Sequence, residues 1–215
     1  LGVAETIGVS SGTDALLVVE GYMDAISLWD VGLGGAVASM GTAISPEQLD
    51  AAAKTSGGRI VLCLDNDDAG IAAAERICSN GILAEAARKN VVGFSIARLP
   101  DGVKDPAEYI EMWKESGSSA DDILVKFRME VFESAVDWTE WYIQRVVSQY
   151  DSRSERGASG SFGSVFERVA EFLASSLGPA DRTKRAYEVA SILSTALAAE
   201  RNETEVSKAV RIQLE

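Results

Sequence analysis

Arg59-Ile60-Val61-Leu62-Cys63-Leu64-Asp65-Asn66-Asp67-Asp68-Ala69-Gly70 is the stretch on which the reading of this chain turns. A short apolar run leads straight into three carboxylates, then a glycine and the alanine-rich Ile71-Ala72-Ala73-Ala74. Such a run, closed by a turn signal, reads as a strand buried on both faces. In open parallel sheets ligands sit just beyond the carboxyl ends of such strands, where loops meet helix starts. Asp65, Asp67 and Asp68 repel one another, so their crowding costs stability unless a cation holds them. A divalent metal is the simplest cation to expect.

Outward from this stretch, the same alternation repeats. Leu16-Leu17-Val18-Val19 is a buried-strand run that stops at Glu20-Gly21, and Tyr22 to Trp29 carries apolar residues at helical spacing. Ala36-Val37-Ala38-Ser39 reads as a short strand closed by Gly41-Thr42. Ser45-Pro46-Glu47-Gln48 is a capping box with proline at the first helical position. Ala69 to Lys89 reads as helix, weakened at Asn80-Gly81, and Val91 to Arg98 as a fourth strand. Leu99-Pro100-Asp101-Gly102 ends it, and Asp105-Pro106 opens a helix through Trp113. Strands alternating with helices of this length predict an α/β fold with a parallel sheet and right-handed crossovers.

After Ser116-Gly117-Ser118 no strand is expected. Ile123, Phe127, Val131 and Ala135 form an i, i+4 stripe, and Asp137-Trp138-Thr139-Glu140 starts a new helix. Residues 151–161, rich in Ser, Gly and charge, read as a loop. Val165 to Leu177 is amphipathic and stops at Gly178-Pro179, and helices over 180–200 and 204–214 complete a helical bundle. The expected division is 1–117 for the α/β domain and 118–215 for the bundle. Trp29, Trp113, Trp138 and Trp141 sit on helical stripes and read as packing residues. Arg182, Lys184 and Arg185 read as a solvated basic cluster.

Composition narrows the chemistry. The chain of 215 residues holds no histidine, which excludes histidine-based triads and histidine-ligated zinc. Carboxylates must do the work, and they favour hard cations such as Mg²⁺ or Mn²⁺. The two cysteines, Cys63 and Cys78, do not make a disulfide framework and read as buried free thiols suited to a reducing compartment. No run approaches a membrane span and no secretory signal is visible, so an intracellular location is expected. A formal charge of −13 predicts poor nucleic-acid binding by this chain alone. The chain starts without Met and stops on a helical pattern, as a piece of a longer protein would.

Three strands deliver acids at their carboxyl ends: Glu20 after the first, Asp65, Asp67 and Asp68 after the third, and Asp101 and Asp105 after the fourth. Parallel strands put these on one sheet edge, and Asp24, one helical turn beyond Glu20, can face the same cleft. A single acid at a strand end is ordinarily a helix cap, so Asp68 and Asp105 stay open between cap and ligand. An EF-hand starting at Asp65 is excluded by Arg76 at its twelfth position. An aspartyl phosphatase is excluded by Ala69 in place of threonine, and a Rossmann site by a single glycine in Glu20-Gly21-Tyr22-Met23-Asp24.

Val18-Val19-Glu20-Gly21-Tyr22-Met23-Asp24, Ala36-Val37-Ala38-Ser39-Met40-Gly41-Thr42, Asp65-Asn66-Asp67-Asp68-Ala69-Gly70 and Leu99-Pro100-Asp101-Gly102 occur in this order. Together they resemble the TOPRIM domain of bacterial-type (DnaG-type) DNA primases, over about residues 1–117. The remainder is similar in layout to the small helical bundle that closes the primase polymerase core. The resemblance implies a DNA-dependent RNA polymerase that makes primers for DNA replication by nucleotidyl transfer, using one to three Mg²⁺ or Mn²⁺ ions. By position, Glu20 matches the family's glutamate, a candidate acid/base group, and Asp65 and Asp67 match its Asp-x-Asp metal ligands. Asp24 and Asp101 match further acids of the metal site, and Asp105 the aspartate of the Asp-Pro pair.

The family's zinc module and basic subdomain precede TOPRIM and handle template and nucleotide. Neither is expected here, so zinc is not, and little activity is expected of the chain alone. The single-stranded DNA template, the NTPs and a replicative helicase would be engaged through the full-length protein, in a bacterial cytoplasm or an organelle, with no membrane involved. Other readings are a TOPRIM nuclease or topoisomerase-like strand cleaver, and a non-catalytic TOPRIM binding module. Two departures stand out: Val103 and Lys104 separate Gly102 from Asp105 where one residue is usual, and Asn66 stands where glycine is usual. Asparagine would tolerate a left-handed backbone there.

Overall fold

The computed structural model describes residues 15–41, 44–90, 92–149 and 162–178. The element order is β1 (Ala15–Val19), α1 (Tyr22–Asp30), β2 (Ala36–Ala38), α2 (Pro46–Thr55), β3 (Arg59–Cys63), α3 (Asp68–Ser79), α4 (Ile82–Asn90), β4 (Gly93–Ile96), α5 (Pro106–Glu115), α6 (Ala120–Phe127), a π-helical turn (Arg128–Phe132), β5 (Val136–Asp137), α7 (Trp138–Ser148) and α8 (Phe162–Ser176). The chain is thus a mixed α/β protein with a five-stranded sheet flanked by helices, in the order β2-β1-β3-β4-β5, followed by C-terminal helices. The first four strands are parallel: Val18 pairs with Val37 and Leu62, and Ile60 with Phe94.

The apolar run around Ile60 forms the middle of the sheet because it is buried on both faces. Leu17, Val19, Val61 and Cys63 enter one continuous core with Leu28 of α1, Tyr109 and Ile110 of α5, and Ile123, Phe127, Val131 and Phe132 beyond. Strand alternation turns Leu16, Val18, Ile60 and Leu62, all buried, to the opposite face. α2 begins on the expected capping box: Ser45 Oγ accepts from Gln48 N, and Gln48 Oε1 accepts from Ser45 N. The expected weak point at Asn80-Gly81 is a complete break. Gly81 adopts φ 82°, and Asn80 Oδ1 accepts from Ile82 N at 3.0 Å, so α3 ends and α4 starts afresh.

Two expectations are corrected. A strand does follow residue 117: Val136 and Asp137 pair antiparallel with Ile96 and Ser95 of β4. Two residues are too few to show a period, which is why the sequence hides them. The first compact unit accordingly closes at Trp138, beyond the expected boundary at 117. The stripe Ile123, Phe127 and Val131 is the reason: all three are buried in the core of the sheet domain, and Ala135 packs against it. Tyr109 meets Phe127 edge-on with ring centroids 5.4 Å apart.

The second unit starts at Thr139. In it Trp141, Tyr142, Ile143 and Val146 of α7 are buried, as are Val165, Val169, Phe172 and Leu173 of α8. The Tyr142 and Phe172 rings meet at a tilt of 41°, with centroids 4.3 Å apart. The helices expected over 180–200 and 204–214, the loop over 151–161 and the basic cluster Arg182-Lys184-Arg185 lie outside the described residues. Trp138 and Trp141 are buried, and Trp29 is part-buried with its Nε1 donating to the Ala36 carbonyl at 2.9 Å.

Candidate active site at the carboxyl edge of the sheet

β1 and β3 are adjacent and parallel, with Val19 opposite Cys63. Their next residues therefore leave the sheet side by side, and the connection is direct: Asp65 N donates to Glu20 Oε1 at 3.0 Å. Asp65 is better sheltered than its neighbour in the loop, its side chain 20% exposed against 42% for Asp67. Burial first, and then the charges of Glu20, Asp24 and Asp105, push its carboxyl up to about 6; Lys104 pulls the other way. Its Oδ1 is buried with no hydrogen-bond partner.

Asp67 precedes α3 and caps it, Oδ1 accepting from Ala69 N at 3.0 Å and Gly70 N at 2.9 Å. Gly70 is required here, because a Cβ on it would lie 2.2 Å from the carbonyl oxygen of Asp65. The first turn of α3 thus presses on the loop that carries the two aspartates. Asp105 caps α5 through Glu108 N at 2.8 Å. Asp24 is buried in the first turn of α1, where Oδ2 accepts from Gly21 N at 3.0 Å and Oδ1 from Ala107 N of α5 at 3.2 Å. Burial raises its carboxyl above the usual range, and the two backbone N–H groups partly offset that.

Glu20, Asp24, Asp65, Asp67 and Asp105 therefore meet on one edge. Asp101 is exposed in the turn closed by Val103 N and the Pro100 carbonyl, and its side chain makes no hydrogen bond or ion pair among the described residues. Asp68 is exposed as the first residue of α3. Asn66 is not left-handed, since Met40 is the one non-glycine residue with positive φ among those described. It works instead as a clamp. Its N–H donates to the Lys104 carbonyl at 2.6 Å and its Nδ2 to the Val103 carbonyl at 3.2 Å, tying the longer spacer to the Asp65 loop.

Lys104 is the site residue that sequence reasoning missed. Its Nζ lies 3.8 Å from Asp65 Oδ2 and 3.9 Å from Asp67 Oδ2. The signal was a lone base beside an Asp-Pro pair on an acidic edge, and as a spacer residue it drew no functional reading.

No three acids or cysteines among the described residues stand close enough to enclose a metal ion by themselves. Magnesium is ordinarily held by one or two carboxylates, with water and substrate phosphate completing the shell. The oxygen-only donor set fits such an ion, and so does the orphaned Oδ1 of Asp65. The Lys104 ammonium shows that a single cation can stand within 4 Å of both aspartates.

Residues 17–110 match the Toprim-like family. The DNA primase of Synechococcus elongatus is 31% identical over 182 residues, covering 84% of this chain and 24% of the relative. Among solved structures, a DnaG catalytic core superposes with a TM-score of 0.65 at 23% identity, over 89% of this chain and 56% of that one. A DnaG primase catalytic domain bound to ssDNA gives 0.62 at 22%, over 89% and 55%. At these identities the structural likeness is one of fold. The chain spans about a quarter of the length of the curated relative. Residues 17–110 thus match the Toprim-like family, and along most of its length the chain is similar to DNA primases and shares the fold of the DnaG catalytic core.

Proposed function

We propose that this chain is part of a DNA primase and contributes the acidic half of a nucleotidyl-transfer site. The observation that carries the reading is the convergence of Glu20 and Asp65 from adjacent parallel strands, joined by the 3.0 Å bond from Asp65 N, with Asp24 and Asp105 acting on Asp65 from two helix starts. In the reaction a 3′-hydroxyl forms a bond to an α-phosphorus, the bond to the β-phosphate bridge breaks, and pyrophosphate leaves with that electron pair. Bound Mg²⁺ or Mn²⁺ would lower the pKa of the hydroxyl and neutralise charge on the phosphates. Asp65 and Asp67 would hold that cation, with Glu20 and Asp24 beside them and Asp105 oriented by its cap on α5. Glu20, fixed by the Asp65 amide, would take the proton.

The charge of −13 argues that template grip lies mainly in parts of the longer protein beyond this chain. Single-stranded DNA and NTPs are therefore taken as substrates of the whole protein, and a replicative helicase as its partner. No helix among the described residues is long and apolar enough to cross a membrane. Buried free Cys63 and Cys78 are consistent with an intracellular reducing compartment.

The test is primer synthesis by the intact parent protein, wild type against Asp67→Asn. Loss of synthesis by about 10²-fold or more, with no nicking of duplex DNA by the wild type, supports the reading. Nicking without synthesis overturns it in favour of a strand-cleaving enzyme. Purified on its own, the 215-residue chain should make little or no primer.

A further inference from the structure

Lys104 stands in the mouth of the acidic site, and its backbone leaves it little freedom to be elsewhere. Val103 is buried in the core, the Lys104 carbonyl accepts from Asn66 N, and the Lys104 N–H donates to Glu108 Oε2. The main chain is therefore clamped on both sides while the side chain stays 57% exposed. The ammonium faces two carboxylates at almost equal distance, 3.8 and 3.9 Å. Both distances exceed ordinary hydrogen-bond lengths, so the ammonium neutralises the pair without being bonded to either member. A group held in this way is easily replaced by a cation that binds the same oxygens at about 2.0–2.1 Å.

We propose that Lys104 is an exchangeable internal counter-ion: its ammonium neutralises the Asp65–Asp67 pair in the metal-free protein and is displaced when a divalent cation binds there. The inference rests on the reading that these carboxylates take a divalent cation. While in place, the ammonium opposes Mg²⁺ or Mn²⁺ by repulsion and by occupying the approach to Oδ2 of both aspartates. It also keeps the pair from repelling when no metal is bound. A loose cation site with a built-in occupant binds the metal weakly by itself and more tightly when a second anionic ligand, such as a triphosphate, arrives with it.

The experiment is calorimetric titration of MnCl₂ into the 215-residue chain, wild type against Lys104→Gln and Lys104→Arg, with thermal unfolding of each in EDTA and in Mn²⁺. Removing one positive charge about 4 Å from the ligands should tighten Mn²⁺ binding by about three- to tenfold in Lys104→Gln. Lys104→Arg should stay near wild type. Lys104→Gln should also melt lower in EDTA and gain more from Mn²⁺ than the wild type does. Equal or weaker Mn²⁺ binding by Lys104→Gln overturns this proposal while leaving the metal reading intact. Absence of Mn²⁺ binding in all three proteins overturns both.

Discussion

Asp67 serves two partners at once, and the two can be separated by substitution. Its Oδ1 caps α3 through two backbone N–H groups, while Oδ2 faces the Lys104 ammonium. An amide in place of this carboxylate would keep an accepting oxygen for the cap but lose the charge. Asp67→Asn should therefore unfold within about 0.5 kcal/mol of wild type, although under the proposed function the parent protein that carries it loses primer synthesis. Asp67→Ala should lose about 1 kcal/mol in addition, read as a lower urea midpoint at constant m-value. Asp65 behaves differently. Its folded carboxyl sits at about 6, above the roughly 3.9 of an unfolded aspartate. Ionised Asp65 therefore penalises the fold above pH 6, and the penalty fades as pH falls from 6 to about 4, where both states are protonated. In EDTA, Asp65→Asn should stabilise the chain at pH 7.5 by on the order of 1–2 kcal/mol, and the gain should vanish near pH 4.5. A gain that grows on acidification would contradict this. The acids themselves were legible because their spacing after strand runs is a local pattern. Lys104 was not, because nothing local says which carboxylate a long side chain will reach.

The packing of α3 against the Asp65 loop is set by one hydrogen atom. With a Cβ of residue 70 at 2.2 Å from a backbone oxygen, Gly70→Ala cannot be absorbed by a side-chain rotation. It should cost about 2–3 kcal/mol and shift the Asp65 and Asp67 amide resonances, whereas Gly81→Ala, at φ 82° with open space around it, should cost about 1 kcal/mol through strain alone. The longer elements were legible because each satisfies a period and carries its own stop signal: Ser45-Pro46 for α2, Asn80-Gly81 between α3 and α4, Asp105-Pro106 for α5. β5 was not, since its pairing depends on a distant strand, β4, rather than on any pattern of its own. The π-helical turn that brings Val131 and Phe132 into the core is equally silent, because an i, i+4 stripe looks the same whether or not one turn is widened.

For the molecule as a whole, the sheet domain needs the segment after residue 117. Ile123, Phe127, Val131 and Phe132 are all buried in its core. At about 1.5–3 kcal/mol for each large apolar side chain, their loss approaches the full stability of an ordinary domain. A fragment 1–117 should therefore lack a cooperative thermal transition, whereas 1–138 should show one. A cooperative 1–117 fragment would show that α6 and the π-helical turn are accessory. The fold class followed from the sequence because strand–helix alternation is repeated along the chain. The unit boundary did not, because Ser116-Gly117-Ser118 is a turn inside the domain that looks like a linker.

The two borders of the sheet are both abbreviated, three residues in β2 on one side and an antiparallel pair in β5 on the other. Neither offers a long ladder of unsatisfied amides to a stray strand. This domain should resist fibril growth by edge accretion, and concentrated solutions should stay clear and thioflavin-negative.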